Sequence, residues 1–350
     1  MKVLVIGLGS MGRRRLRNLR YLGVEQLGGM EPASERREQV GGEFEIPTFA
    51  TLAQGLGWQP DAVVISTPPD QHTGYAIEAA KLGLPFFTEA GTVTERMDEL
   101  IATVAQTGAI AAPSCTLRFH SAVQLMRRRL AEGAIGRPLV VTYHVGQYLP
   151  DWHPWEDYRS FYVAQRRTSA VREVVPYELN WLTYLFGSVT ELNGFRGKLS
   201  QLDADIDDYL AGLLRFESGV HCTLVAEVIS RPALRLARIV GEEGTFEWDW
   251  NARVVREWRA AEEKWVEHPD PEPIVGPGGK WVAENMYIEE MRGYLRAIEH
   301  GQGEWPLSLD GDFALLQMLE ELEAASDEQR RFVGESVRPG LGGGVGAVAG

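Results

Sequence analysis

The chain has 350 residues, a formal net charge of −14 and 44% apolar residues. That length accommodates two substantial cores, and the acidic balance argues against a nucleic-acid partner, which needs a basic surface. Cys115 and Cys222 are far apart with no C-x-x-C, which indicates neither a disulfide framework nor a zinc site. No run approaches the roughly 18 apolar residues of a membrane span. The first apolar stretch is too short for a signal peptide, so a cytoplasmic protein is expected.

The first element is the apolar, β-branched run Lys2-Val3-Leu4-Val5-Ile6, which reads as a buried strand. Gly7-Leu8-Gly9-Ser10-Met11-Gly12 follows, with the spacing G-x-G-x-x-G, and then a helical pattern carrying Leu16, Leu19 and Leu22. The three glycines do different things. Gly7 permits the tight turn, Gly9 lets a pyrophosphate approach, and Gly12 lets the helix pack on the strand. The free N–H groups of the helix start, at Ser10 and Met11, would hold phosphates. The arginines at 13, 14, 15, 17 and 20 read as a solvated helix face, with extra phosphate contact as the other reading.

A second strand at 26–30 ends at Glu31, where a dinucleotide fold hydrogen-bonds the adenosine ribose hydroxyls. Glu31 favours NAD, and Arg36 and Arg37 close behind keep NADP possible. A strand over 61–66 runs into Thr67-Pro68-Pro69-Asp70 and a helix over about 71–82, with prolines at the helix entry where their missing N–H costs nothing. The strand 85–88 ends at Glu89-Ala90-Gly91. Thr92 and Glu95 read as a capping box for a helix over about 94–107, and 109–113 is a further strand. Alternating strands and helices imply a doubly wound parallel sheet with ligand at the strands' carboxyl ends.

The stretch Thr67-Pro-Pro-Asp-Gln-His72, then Ile77-Glu-Ala-Ala-Lys-Leu-Gly83, then a strand ending in Glu89, resembles the Gfo/Idh/MocA oxidoreductases, whose pattern is roughly TPN-x-x-H, a helix, and G-k-h-V-x-x-E-K-P. Thr116-Leu-Arg-Phe-His120 is similar to the family's N-x-R-F-x-P junction. The resemblance implies a Rossmann domain over 1–119 and an α+β domain with a large, mostly antiparallel open sheet over 120–335, followed by a flexible glycine-rich tail over 336–350. It implies NAD or NADP as cofactor, with contacts from Gly7, Gly9, Ser10, Met11, Gly12, Glu31, Ser66, Thr67, Pro68, His72, Glu89, Ala90 and Thr116. It also implies a homodimer or homotetramer formed through the open sheet.

In the second half a strand is expected over 137–146. Then comes Gln147-Tyr148-Leu-Pro-Asp-Trp152-His153-Pro-Trp155-Glu-Asp-Tyr158-Arg159. Flat apolar faces beside hydrogen-bond donors suit a sugar, although an aromatic loop packed on itself would look the same. A similar segment marks family members resembling sugar and N-acyl-sugar dehydrogenases. Substrate contacts are therefore expected from Arg118, Gln147, Tyr148, Trp152, Trp155, Tyr158, Arg159 and Asn180. A helix over 170–186 follows, then a hairpin of strands 209–216 and 220–228, and further strands over 235–240, 245–250 and 253–258. Residues 269–280 read as a loop and 286–300 and 310–325 as helices, the last resembling one that packs back on the first domain.

Hydride transfer needs an acid/base beside the reacting oxygen, because the cofactor carries only the hydride. The family supplies the Lys of E-K-P and an Asp and a His spaced D-x-x-x-H or D-x-x-H. Here Ala90 replaces the lysine. Aligning 169–180 on the shorter spacing puts Val174 at the Asp, Tyr177 at the His and Asn180 at a later Asp. Tyr177 is then the catalytic candidate, with a cation from Arg118, Arg159 or Arg172 lowering its pKa, and His153 is a second candidate. Three functions are compatible with these residues: an NAD(P)-dependent oxidoreductase acting on a sugar hydroxyl, a redox-silent NAD-using enzyme (elimination, epimerisation or hydrolysis), or a non-catalytic dinucleotide- or sugar-binding protein.

Overall fold

The computed structural model describes residues 1–154, 156–271 and 285–328. Trp155, most of the expected 269–280 loop and the glycine-rich tail lie outside the described residues. In chain order the first half comprises β1 (Lys2–Ile6), α1 (Ser10–Tyr21), β2 (Gln26–Met30), α2 (Ser34–Phe44), β3 (Thr48–Phe49), α3 (Leu52–Gly57), β4 (Ala62–Ile65), α4 (His72–Lys81), β5 (Phe86–Thr88), α5 (Met97–Thr107) and β6 (Ala111–Pro113). The second half comprises α6 (Ser121–Ala131), β7 (Pro138–Gly146), α7 (Ala170–Phe186), β8 (Val189–Gly197), β9 (Tyr209–Phe216), β10 (His221–Glu227), β11 (Leu234–Gly241), β12 (Gly244–Asp249), β13 (Val254–Arg259), β14 (Lys264–Pro269), α8 (Asn285–His300) and α9 (Leu309–Glu328).

The first sheet is parallel in the order β3-β2-β1-β4-β5-β6, the doubly wound Rossmann arrangement. Its strands are buried on both faces, which is why they read as continuous apolar runs. Alternate residues serve opposite layers: Val3 and Val5 pack with Leu16 and Leu19 of α1, while Leu4 and Ile6 pack with Ala76 and Ile77 of α4 and with Leu309 and Leu316 of α9. The last helix thus joins the core of the first sheet. It also lies along β8 and α7, so it serves both sheets.

The second sheet has eight strands in the order β14-β13-β12-β11-β7-β10-β9-β8. All pairings are antiparallel except β7 with β10. One face is buried through Val141, Tyr143, Leu210, Leu214 and Leu224, covered by α7 and α9. The other leaves Val140, Leu213 and Leu236 exposed. Among the described residues no helix is long and apolar enough to cross a membrane.

Two local expectations are corrected. The capping box fails: Arg96 adopts a left-handed conformation (φ 62°) and α5 starts only at Met97. The Thr92 hydroxyl is buried without a hydrogen bond, and Glu95 instead pairs with Arg167 at 2.9 Å. The arginine run is not one solvated face, because Arg15 is fully buried. It lies on the inward side of α1 with Leu16, Asn18 and Leu19.

Candidate active site

The site grows from the carboxyl edge of the first sheet. At the end of β1 the Gly7 N–H donates to the Met30 carbonyl at 2.8 Å, and the Ser66 N–H donates to the Ile6 carbonyl at 2.8 Å. Gly7 has φ +86°, and a Cβ on Gly12 would lie 1.9 Å from the Gly7 carbonyl oxygen. Both glycines are therefore demanded by the fold itself. Gly9 is different: a Cβ there would meet nothing within 4 Å. It is the cap of α1, with no side-chain cap and no acidic residue in the first turn. An open glycine backbone before uncapped helix N–H groups fits the pyrophosphate of a dinucleotide. Ser10 and Met11 open that helix.

Glu31 follows β2 and is buried. Its carboxylate accepts the Leu8 N–H and the Ala33 N–H, each at 3.1 Å, which ties it to the glycine turn. Arg36 reaches it at 3.3 Å from the surface, and Arg37 caps the Glu31 and Pro32 carbonyls. The acid needed for the ribose hydroxyls and the cation that would tolerate a 2′-phosphate thus stand side by side.

Beyond β4, Pro68 starts a short 3-10 turn and His72 binds the Thr67 carbonyl at 2.8 Å. That contact requires the proton on Nε2. Burial pushes the His72 pKa below its ordinary value, so the ring is a neutral brace for the 67–71 turn. The Glu89 N–H donates to the Ile65 carbonyl at 3.0 Å. Its carboxylate takes a two-pronged bond from Arg15, Nε at 2.6 Å and Nη2 at 2.7 Å, and a hydrogen bond from Ser66 at 3.1 Å. Arg15 Nη2 also lies 2.8 Å from Glu290 of α8. Glu290 in turn accepts from the Ser114 hydroxyl, the Cys115 N–H and the Thr116 hydroxyl at 2.8–2.9 Å. Ser66, Glu89 and Thr116, expected as cofactor contacts, are thus engaged in one buried network. Ala90 continues from it, half-buried.

Helix α7 presents its first turns to this network. Tyr177 is partly exposed, and burial first, then Tyr287, hold its pKa well above the ordinary value. Arg235, 6.0 Å from its ring, opposes that shift. The expected partners are used elsewhere: Arg118 donates to Asn180 at 2.5 Å and to the Pro306 carbonyl at 2.6 Å, Arg159 pairs with Asp157 and Asp203, and Arg172 pairs with Glu323 at 3.1 Å. The expected lowering of the Tyr177 pKa is therefore corrected in both sign and source. Asn180 also donates to the Ser114 carbonyl at 3.3 Å, so Arg118 and Asn180 hold each other beneath the site.

One residue that sequence reasoning missed stands out. Glu173, four positions before Tyr177, lies on the same face of α7. Its Oε2 is buried without a hydrogen bond of good geometry. Burial pushes its pKa up to about 7; the Tyr162 hydroxyl opposes the shift and the charge of Glu89 reinforces it. The longer D-x-x-x-H spacing would have found it, since 173 and 177 stand four apart, whereas the shorter spacing selected Val174. Asp312 at the start of α9 is a second buried carboxyl pushed up to about 7. It lines a cavity of about 20 Å³ with His72 and Glu89.

The aromatic loop is arranged largely on itself. Trp152 donates to the Gln147 carbonyl at 3.2 Å, Arg231 lies 3.4 Å from the Tyr148 ring, and the Tyr158 hydroxyl accepts the Asp203 N–H at 2.9 Å. His153 stands 3.0 Å from Glu156 and packs on Phe161, which packs on Tyr162. His153 is thus two aromatic contacts away from the tyrosine that serves Glu173.

Two family models match the chain: the oxidoreductase family NAD-binding Rossmann fold over residues 1–113, and the GFO/IDH/MocA C-terminal domain over residues 123–247. The scyllo-inositol 2-dehydrogenase (NAD(+)) of Bacillus subtilis is 30% identical over 141 residues, 39% of this chain and 41% of that protein. The D-apiose dehydrogenase of Paraburkholderia graminis is 26% identical over 253 residues, 69% of this chain and 65% of that one. The chain therefore aligns with less than two thirds of either relative's length. An oxidoreductase from Agrobacterium radiobacter, solved in complex with NAD+, L-tartaric acid and magnesium, has the same fold, with a TM-score of 0.83 at 15% identity over 94% of this chain and 97% of that one.

Proposed function

This chain belongs to the Gfo/Idh/MocA oxidoreductase family with its NAD-binding Rossmann fold, and from that premise we propose a dehydrogenase acting on a hydroxyl carbon of a sugar or polyol, with Glu173 as acid/base. The observation that carries the reading is the pair Glu173 and Tyr177 one turn apart on α7, with the Glu173 Oε2 buried without a hydrogen bond and burial pushing that carboxyl's pKa up to about 7. A pKa near the working pH is what a general acid/base needs. The curated relatives include dehydrogenases of an inositol and a pentose, which supports the substrate class.

When bound, the nicotinamide supplies the site that accepts or donates hydride. Gly9, Ser10 and Met11 would hold its pyrophosphate and Glu31 its adenosine ribose. In the oxidative direction Glu173 takes the proton of the reacting hydroxyl on Oε2, with the Tyr162 hydroxyl supporting the carboxylate. Tyr177 stays protonated, since its pKa is raised, and its role becomes that of a hydrogen-bond donor to the oxygen that turns into a carbonyl. With Glu173 in place, Val174 no longer argues for a non-catalytic protein. The exposed Val140, Leu213 and Leu236 on the open sheet support a homodimer or homotetramer.

The test has two stages. Tryptophan fluorescence of the purified chain is titrated with NADH and NADPH, and NADH formation is then screened over inositols, pentoses and hexoses. Selective NADH binding with turnover supports the reading. Absence of binding by either nucleotide overturns it.

A further inference from the structure

Strand β11 alternates cleanly: Leu236 and Arg238 face out, while Ala237 and Ile239 are buried. Arg235 falls on the inward side of that pattern, where an apolar residue would be expected. It stands opposite Val145 of β7, two positions from the pair Tyr143 and Ala237. Its guanidinium reaches the fully buried Glu178 of α7, with Nη2 2.5 Å from Oε1. Its Nε donates to the Tyr143 hydroxyl at 3.1 Å, and that hydroxyl donates to Glu178 Oε2 at 2.5 Å. The Trp181 indole N–H donates to the same oxygen at 3.2 Å. Both Glu178 oxygens are thus held, by groups from β7, β11 and α7 itself.

Stability alone does not account for this pair. Taking two charges out of water is costly, and apolar residues of similar volume often serve a fold as well. What the closed network adds is direction. Successive side chains of a helix point about 100° apart, so holding Glu178 fixes the rotation of α7 and with it the direction of the preceding residue, Tyr177. The same guanidinium lies 6.0 Å from the Tyr177 ring and 4.5 Å from the Trp250 ring, within reach of a cation–π contact with both. Trp250 is fixed in turn: its N–H donates to the Arg235 carbonyl at 3.1 Å, and the His120 ring is 4.7 Å away. Arg235 is anchored at its backbone and at its head, and Tyr177 lies against it.

We propose that Arg235 is a positioning residue for Tyr177: pinned to Glu178 and Tyr143, it fixes the rotation of α7 and sets its guanidinium beside the Tyr177 ring, which aims the phenol hydroxyl at the reacting oxygen. The proposal rests on the reading of Tyr177 as the hydrogen-bond donor to that oxygen, and it assigns the aiming of the donor to a strand of the second sheet. The guanidinium is suited to the task, because its flat fork can hold two partners and still present a face to a ring. A lysine could keep the charge beside Glu178 but neither the fork nor the face.

The experiment is a double-mutant cycle in the full chain, reading NADH formation with the sugar or polyol found by screening. Arg235→Met is combined with Glu178→Gln, so that no unpaired charge stays buried. This paired variant should lower kcat by about 10–10²-fold and leave KM within about twofold. In a Tyr177→Phe background the same pair of changes should alter kcat by less than about twofold, because the group it aims is gone. An equal loss in both backgrounds overturns the proposal, since a merely structural role would act on either alike. Carbon-13 NMR of ring-labelled tyrosines supplies a second readout, with the Tyr177 signal assigned by its loss in Tyr177→Phe. That signal should move in the paired variant and stay in place in Arg238→Met, on the outer face of the same strand. An unmoved Tyr177 signal in the paired variant also overturns the proposal. If the paired variant fails to fold, Arg235→Lys carries both comparisons with the same expected outcomes. Full turnover in Tyr177→Phe refutes the donor role of Tyr177, and the ring signal alone then decides whether Arg235 holds it.

Discussion

Two loops crowded with signal-bearing residues, Gly7–Gly12 and the segment 146–161, are held by different forces. In the first, backbone approaches decide the sequence: Gly7 is left-handed, and Gly12 lies against the Gly7 carbonyl where a side chain has no room. In the second, side chains satisfy one another: Trp152 serves a carbonyl of its own loop, and Tyr158 and Arg159 reach across to Asp203. A motif imposed by backbone geometry specifies a structure. A loop rich in aromatic and polar groups specifies only a chemistry, and much of that chemistry can be consumed internally.

The sharpest way to break the contrast lies within the glycine turn. Gly12→Ala should destabilise the fold by about 3 kcal/mol or more and abolish NADH binding, read by denaturant unfolding and fluorescence titration. Gly9→Ala should leave unfolding unchanged and weaken NADH binding, since the added methyl meets no protein atom. Equal unfolding effects at the two positions would contradict the division of roles between them. Next in size, Tyr177→Phe should reduce turnover by about 10²–10³ if the hydroxyl donates to the developing carbonyl oxygen. Its pH profile should keep the wild-type midpoint, because a tyrosine with a raised pKa does not titrate near neutrality.

Glu173 offers a stability test independent of substrate. Its folded pKa, about 7, lies above the ordinary 4.5, so the folded state binds its proton more tightly than the unfolded chain does. Wild-type stability contributed by this group is therefore present below pH 4.5 and lost as pH rises through 7. Glu173→Gln should gain on the wild type across that window, by on the order of 3 kcal/mol at most, and the difference should level off above it. Denaturant midpoints at a series of pH values measure this, and a pH-independent difference would contradict the assigned environment. The smallest effect belongs to the aromatic loop: Arg159→Ala should cost less than about 1 kcal/mol, because its partners are exposed and such pairs contribute little. An unchanged KM in that variant would confine Arg159 to loop anchoring.

Legibility follows the same division. The parallel sheet, the glycine turn and the final helix were readable because buried strands are continuously apolar and helices carry a 3.6-residue stripe. Helix α7 and its terminating Gly187 fell where the pattern put them. The capping box at Thr92 and Glu95 was not readable correctly, since a left-handed Arg96 delays the helix, and nothing in residue type announces that turn. Arg15 was hidden among like residues. The available signal was its place beside Leu16 and Leu19 and three before Asn18, all buried, which marks it as inward-facing. Glu173 depended on one choice of spacing along a helix. Its environment comes from Glu89 and Tyr162, 84 and 11 positions away, and no local pattern encodes that meeting.

The central claim, that Glu173 is the acid/base, is tested most directly by the pH–rate profile of NADH formation, for the sugar or polyol found by screening, in the wild type and in Glu173→Gln. Wild-type oxidation should rise with pH through a midpoint near 7, as the carboxylate becomes able to take the proton. The variant should be slower by about 10²–10⁴ and lack that limb. A variant that retains both the full rate and the limb would contradict the assignment.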